Sequence, residues 1–311
     1  MDKSVMTTTK IISQESGESW TAVHGDCCEA ITALPDASIG YCIYSVPFSS
    51  LYVYSNSERD MGNSKDDDQF FHHLGFLISE MLRVTKPGRL TSCHCMNLPT
   101  SKTHHGYIGL RDFRGELIRA FEKAGWIFHS EVAIWKDPVT AMQRTKAIGL
   151  LHKQMVKDSC MSRQGIPDYF VTFRKPGVNP EPVEGELDQW IGDDSFQSTG
   201  RLSIDLWQRY ASPVWMDINQ SDTLQFRSAR EQDDERHLCP LQLQVIERGI
   251  ELWSNPGDTV LTPFMGIGSE CYVAVEKGRK AIGFELKESY FKQAVGNLRL
   301  CEDKKREAVL L

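Results

Sequence analysis

Apolar and polar positions alternate in two registers along this chain. Short runs with the two-residue period of a strand are separated by longer stretches with the 3.6-residue period of an amphipathic helix. Strands are predicted at Trp20–His24, Tyr41–Phe48, Leu90–His94 and Ile127–Trp135, with helices at Cys27–Ala33, Phe70–Val84 and Phe113–Ala124 between them. The rhythm runs to about Phe173 and resumes near the C-terminus. There a strand Asp258–Leu261, a helix Glu270–Lys277 and a strand Ala281–Glu285 precede a further helical stretch from Lys287 to Ala294. Strands alternating with helices imply an α/β protein with a mostly parallel sheet. Residues 1–19 are polar and predicted as a loosely ordered arm. The segment from Lys175-Pro176-Gly177 to about Arg236 is rich in Pro, Gly, Asp and Glu and breaks the rhythm. No internal repeat is present.

The turn after Asp258–Leu261 reads Thr262-Pro263-Phe264-Met265-Gly266-Ile267-Gly268-Ser269. Two glycines one residue apart, between a strand and a helix, let backbone N–H groups approach a ligand at the helix N-terminus. The next strand ends in Glu285, an acid able to accept hydrogen bonds from ribose hydroxyls or, alternatively, to cap the following helix. This geometry serves nicotinamide, flavin and S-adenosylmethionine sites alike. Far upstream, the strand from Tyr41 ends in Ser45-Val46-Pro47-Phe48: a hydroxyl, a proline and an aromatic suited to handling a nucleobase.

Together the two segments resemble those of the DNA amino-methyltransferases, which methylate the exocyclic nitrogen of cytosine or adenine. Their base loop reads Asp/Asn/Ser-Pro-Pro-Tyr/Phe, and their cofactor loop Asp-Pro-Phe-x-Gly-Ser-Gly-Thr. Gly25-Asp26, Leu34–Ser38, Arg83–Arg89, His237–Gln242 and Asn255–Asp258 resemble the family's connecting turns. The order, base loop first and cofactor loop last, is that of the circularly permuted beta class. The resemblance implies a Rossmann-like S-adenosylmethionine-dependent methyltransferase fold with helices on both faces of the sheet. It implies a catalytic domain made of 20–135 and 237–311, with 136–236 as a target-recognition insert. It also assigns Asp26, Thr262, Pro263, Phe264, Gly266, Gly268 and Glu285 to the cofactor, and Ser45, Val46, Pro47 and Phe48 to catalysis. Asp26 can equally cap the helix that follows it.

The chemistry at Ser45–Phe48 follows from the substrate. An exocyclic amine has its lone pair delocalised into the ring and attacks poorly until acceptors engage its N–H bonds. The Ser45 hydroxyl and the Val46 carbonyl are the candidate acceptors, with Phe48 stacking on a base flipped from the duplex. Methylation at cytosine C5 would need a Pro-Cys nucleophile, and no Pro-Cys pair occurs. Three positions depart from the family pattern. Val46 replaces a proline and is expected to loosen the loop, while Thr262 replaces an acid and Ile267 a small residue, both expected to weaken cofactor binding. Serine at the first loop position tilts the target toward cytosine N4 over adenine N6. A catalytically silent DNA binder and an RNA or small-molecule methyltransferase stay open as alternatives.

Charge refines the partners. The net charge of -7 does not mark a nucleic-acid binder, but the distribution is segregated. Lys136–Lys175 is basic, and Arg144, Lys146, Lys153 and Arg163 are the candidate contacts to DNA phosphates; a solvated helix face is the alternative. From Glu181 to Glu235 acids dominate and are expected to point away from DNA, with Trp190, Phe196, Trp207, Tyr210 and Trp215 forming a small packed subdomain. The expected partner is double-stranded DNA, with a homodimer and a companion restriction nuclease left open. No apolar run reaches the ~20 residues needed to span a bilayer, and the start lacks a secretion signal, so the expected location is cytoplasmic, without a membrane partner. Nine cysteines without paired Cys-x-x-Cys units read as free thiols and not as metal ligands.

Overall fold

A computed structural model describes residues 11–48, 60–145, 152–161, 163–184, 204–225 and 240–310. Its strands are β1 (Ile11–Ser16), β2 (Trp20–Gly25), β3 (Ile39–Ser45), β4 (Thr85–Met96), β5 (Leu98–Thr100), β6 (Gly109–Arg111), β7 (Ile127–Ile134), β8 (Asp168–Arg174), β9 (Val214–Trp215), β10 (Thr259–Thr262) and β11 (Lys280–Glu285). The helices are α1 (Cys27–Ala30), α2 (Asp67–Val84), α3 (Lys102–His105), α4 (Phe113–Lys123), α5 (Pro138–Thr145), α6 (His152–Met155), α7 (Ile204–Tyr210), α8 (Leu243–Trp253), α9 (Ser269–Glu276) and α10 (Glu288–Leu310).

The long helices begin where the sequence supplies a cap and bury one stripe. Asp66 accepts from the Gln69 N–H at 2.9 Å to start α2, which buries Phe70, Leu74, Leu77, Ile78, Met81 and Val84 at three- and four-residue spacings. Asp112 does the same for Gly115 at 3.0 Å in α4, and Phe113, Leu117 and Phe121 point inward. Phe121 stacks on Phe173 of β8 with ring centroids 3.9 Å apart.

The described residues form a nine-stranded sheet in the order β1-β2-β11-β10-β3-β4-β8-β7-β9. It is parallel from β2 through β4 and antiparallel at β1/β2, β4/β8 and β8/β7. β3 lies near the middle and is buried on both faces, so its alternate side chains feed two cores. Cys42 and Tyr44 face the core under α1, α2 and α4, whereas Tyr41 and Ile43 face the one that includes Val245, Ile246 and Ile250 of α8 and Ala274 of α9. No described helix is long and apolar enough to cross a membrane.

Three sequence expectations change here. Ile11–Ser16, inside the expected loose arm, pairs with β2 as an exposed edge strand. β8 and β9, inside the expected insert, belong to the main sheet, because the apolar run Tyr169–Phe173 pairs with both β4 and β7. Of the aromatics assigned to a separate subdomain, Trp190 and Phe196 lie outside the described residues and Trp207 is exposed. Trp215 is buried in the main core beside Phe170, with the Arg248 guanidinium 5.0 Å from the rings of both Trp215 and Tyr210. The eight described cysteines are free thiols.

Candidate active site

Chain direction reverses its sideways progress between β10 and β3. From β3 the chain steps to β4 on one side, and from β10 it steps to β11 on the other. Such a switch point opens a crevice at the carboxyl ends of the strands, where α/β proteins bind ligands. Val260 pairs with Tyr41 and Leu261 with Cys42, so the loops after the two strands emerge side by side. This one register brings Ser45–Phe48 next to Thr262–Gly268. Glu285 ends β11 and Asp26 follows β2, so the predicted site residues occupy the tips of four successive strands.

The glycine turn is held from below. Gly266 and Gly268 adopt positive φ of 54° and 89°, and a Cβ on Gly268 would come within 3.2 Å of Ala294, so glycine there also sets the approach of α10. The Gly266 N–H donates to one Glu285 oxygen at 2.7 Å and the Lys287 N–H to the other at 2.8 Å. Burial pushes the Glu285 carboxyl up to about 7 against those two bonds and a smaller contribution from the Leu286 backbone, all of which favour the ionised form. Glu285 thus braces the turn and receives a backbone N–H at the approach to α10; each oxygen keeps a lone pair. Asp26 caps α1, accepting from the Cys28 N–H at 2.9 Å.

The departures from the family pattern are accommodated. Val46 is buried, and its N–H, which a proline would lack, donates to the His94 carbonyl at 3.1 Å. The loop is therefore pinned to β4, not loosened. Ile267 is buried against Tyr290, and its carbonyl accepts from Asn297 Nδ2 at 2.9 Å. The Thr262 and Ser269 hydroxyls are buried without a hydrogen-bond partner among the described residues, while the Cβ direction at Gly266 opens on empty space. Two waiting polar groups beside an open glycine turn suit a polar cofactor.

The two loops also touch. The Tyr44 and Phe264 rings lie 5.7 Å apart, and the buried Glu270 carboxyl accepts from the Ser45 backbone. Burial raises that carboxyl to about 8, opposed by the hydrogen bonds of its own backbone and of Ser45. Beyond Ser45 lies a group of residues that local sequence reading missed. Ser45 Oγ is 3.2 Å from His94 Nδ1, His94 Nε2 is 3.1 Å from Asp168 Oδ2, and Asp168 Oδ1 is 2.5 Å from Lys136 Nζ. The Phe48 ring stands edge-on to His94 at 6.5 Å. No spacing motif could have flagged this set; His94 sits between two cysteines in a strand that also holds Thr91 and Ser92, so nothing local marks it out.

The expected phosphate-binding residues fare differently. Lys136 turns inward to Asp168, and Lys175 Nζ donates to the Arg83 and Thr85 carbonyls at 3.2 and 2.7 Å, so neither faces a duplex. Arg163 is half-buried and donates to the Gln164 carbonyl at 3.0 Å. Arg144 and Lys153 lie on α5 and α6 with side chains outside the described residues, and Lys146 is outside altogether, as are Ser49–Arg59. At the opposite end of the sheet, Glu181 pairs with Lys86 at 2.5 Å, so the start of the acidic segment is directed away from the site.

In this α/β sheet a braced glycine turn and a hydroxyl-proline-aromatic loop share one switch point. The chain belongs to the DNA methylase family of N6 and N4 methyltransferases, whose family model matches residues 43–296. Among its relatives is the type II methyltransferase M.MjaI of Methanocaldococcus jannaschii, 24% identical over 68% of this chain and 61% of that protein. Another is the DNA adenine methyltransferase YhdJ of Escherichia coli K12, 24% identical over 90% of this chain and 83% of that one. The first curated relatives are longer, and the chain spans 53–61% of their length. The solved PvuII cytosine-N4-specific DNA methyltransferase shares the fold, with a TM-score of 0.64 at 14% identity over 94% of both chains.

Proposed function

We propose that the chain transfers a methyl group from S-adenosylmethionine to an exocyclic amino group in DNA, with cytosine N4 as the favoured target. The observation that carries this reading is the pairing of β10 with β3, which sets Ser45–Phe48 against the glycine turn. When bound, the cofactor supplies an electrophilic methyl on a sulfonium. Thr262, Pro263, Phe264, Gly266 and Gly268 would cradle it, with Glu285 and Asp26 at the tips of the adjacent strands. Glu285 would accept from ribose hydroxyls of the bound cofactor, alongside the backbone N–H groups it already holds. The Ser45 hydroxyl oxygen and the Val46 carbonyl each accept an amine N–H, which frees the nitrogen lone pair, and Phe48 stacks on the flipped base. Alignment of nitrogen, methyl and sulfur is then the main demand.

Activity is favoured over a silent DNA binder because Val46, expected to loosen the base loop, and Ile267, expected to weaken cofactor binding, each anchor the loop that holds it. Arg163, with Arg144, Lys146 and Lys153, is proposed to contact phosphates. The parts of 136–236 outside the sheet supply target recognition. The test is transfer of labelled methyl to unmethylated mixed-sequence DNA, followed by nucleoside digestion and mass identification. N4-methylcytosine, lost on Phe48→Ala, supports the reading; N6-methyladenine moves the target base; cofactor and DNA binding without transfer supports the silent binder.

A further inference from the structure

The Ser45–His94–Asp168–Lys136 chain crosses four strands, and topology explains it. Ser45 ends β3 and pairs with His94 of β4. β8 runs antiparallel to β4, so its first residue, Asp168, lies opposite Met96 at the same carboxyl edge where the parallel strands end. β7 returns alongside β8 and delivers Lys136 two residues beyond its own end. His94 and Asp168 are buried, and the Lys136 side chain is 17% exposed.

The protons along this chain can be assigned from the groups themselves. Burial alone would raise the Asp168 carboxyl, but Lys136 and His94 overcome it and hold it down to about 2, so Asp168 is an acceptor only. His94 Nε2 lies 3.1 Å from Asp168 Oδ2 without hydrogen-bond alignment and has no other partner among the described residues; a small turn of the ring with the hydrogen on Nε2 would satisfy both groups and leave Nδ1 as the acceptor. The Ser45 hydroxyl then donates to Nδ1, and its oxygen lone pairs turn to the crevice. A serine free to rotate could offer its hydrogen to a substrate amine; this one presents only acceptance.

We propose that His94, oriented by Asp168 and Lys136, is a positioning residue and proton acceptor acting through Ser45 in the methyl transfer. The inference rests on the reading given above. As the amine nitrogen bonds to the methyl carbon, the carbon–sulfur bond breaks, its electron pair stays on sulfur, and the nitrogen becomes cationic. One proton of that nitrogen passes to Ser45 Oγ while the Ser45 hydroxyl proton passes to His94 Nδ1. The product is neutral, and the imidazolium, stabilised by Asp168, later returns its proton to water. The Ser-His-Asp constellation also serves acyl transfer, but there paired backbone N–H groups bind the developing oxyanion. Here the Ser45 N–H is engaged by Glu270 and the Val46 N–H by the His94 carbonyl.

Other ionisable groups nearby are Glu270 behind Ser45, and Cys93 and Cys95 on either side of His94, whose thiols burial pushes up. The Arg114–Glu131 pair, at 2.8 Å, acts on Cys95 through its charges. Two measurements test the relay. In the protein without ligands, ¹⁵N spectra of labelled histidine, assigned with His94→Gln, should show His94 protonated at Nε2 and bare at Nδ1; the reverse tautomer overturns the proposal. With saturating cofactor and DNA, single-turnover transfer by His94→Gln should fall about 10²-fold and lose the acid-side decline of the wild-type pH profile. Cofactor affinity should stay within about threefold of wild type, since no cofactor contact is removed. Asp168→Asn, whose amide can donate to Nε2, should invert the tautomer and slow transfer likewise. Unchanged rates and pH profile in both variants overturn the relay alone, whereas a wild-type chain that transfers no methyl to DNA overturns the function itself.

Discussion

Glu270 is a buried acid at the start of α9, one strand away from the base loop, and its environment makes stability depend on pH. Its carboxyl ionises near 4.5 in an ordinary setting and near 8 in the fold, burial being the main cause. Between those values the unfolded chain has released the proton and the folded chain still holds it. Stability is therefore highest below about 4.5 and declines as pH rises through about 8, where the folded carboxyl is at last forced to ionise. At roughly 1.4 kcal/mol per pH unit, the decline between pH 5 and 9 amounts to about 3–4 kcal/mol. Glu270→Gln matches the protonated shape, keeps a carbonyl for the Ser45 N–H and cannot ionise. Urea unfolding of both proteins at about pH 5 and pH 9 measures the difference. The variant should match wild type at the acid end and exceed it by about 3 kcal/mol at the alkaline end. A stability difference that stays within about 1 kcal/mol across that range would refute the reasoning, because it would mean that the carboxyl reaches water or a cation in solution.

Val46→Pro removes the N–H that serves the His94 carbonyl, so although it restores the commoner family residue it should cost about 1–3 kcal/mol in urea unfolding and slow methyl transfer. Gly268→Ala meets both a positive φ and Ala294 at 3.2 Å. A loss of about 2 kcal/mol, with weaker cofactor binding by calorimetry, is expected. Arg89 donates to the Gly40 carbonyl and pairs with Asp258, both buried at the far end of the sheet. Arg89→Met should lower stability by about 3–5 kcal/mol, because it leaves the Asp258 charge unmatched, yet leave the cofactor dissociation constant near wild type in whatever protein remains folded.

Much of this protein is written locally. The glycine turn, the strand before it and the acid after it are legible because backbone conformation at Gly266 and Gly268 is a property of those residues and their neighbours. The caps of α2 and α4 are local in the same sense, Asp66 and Asp112 acting on N–H groups three residues away, although hydrophobic periodicity alone starts the first of these helices at Phe70 and marks neither cap. Two motifs far apart in the chain were readable as partners only through the family resemblance, since nothing local says that β10 lies beside β3. The sheet order decided that, and with it the shared crevice. The Val46 substitution reads in sequence as a lost proline and in the fold as a gained hydrogen bond, because the acceptor belongs to another strand. His94, Asp168 and Lys136 were out of reach altogether. Each is unremarkable among its own neighbours, and they meet because an antiparallel β8 carries the start of one strand to the carboxyl edge of the others. Propensity and capping act over a few residues, so the sequence determined the elements and both loops; strand order and direction come from burying both faces of the sheet at once, and they alone determined which polar groups face one another.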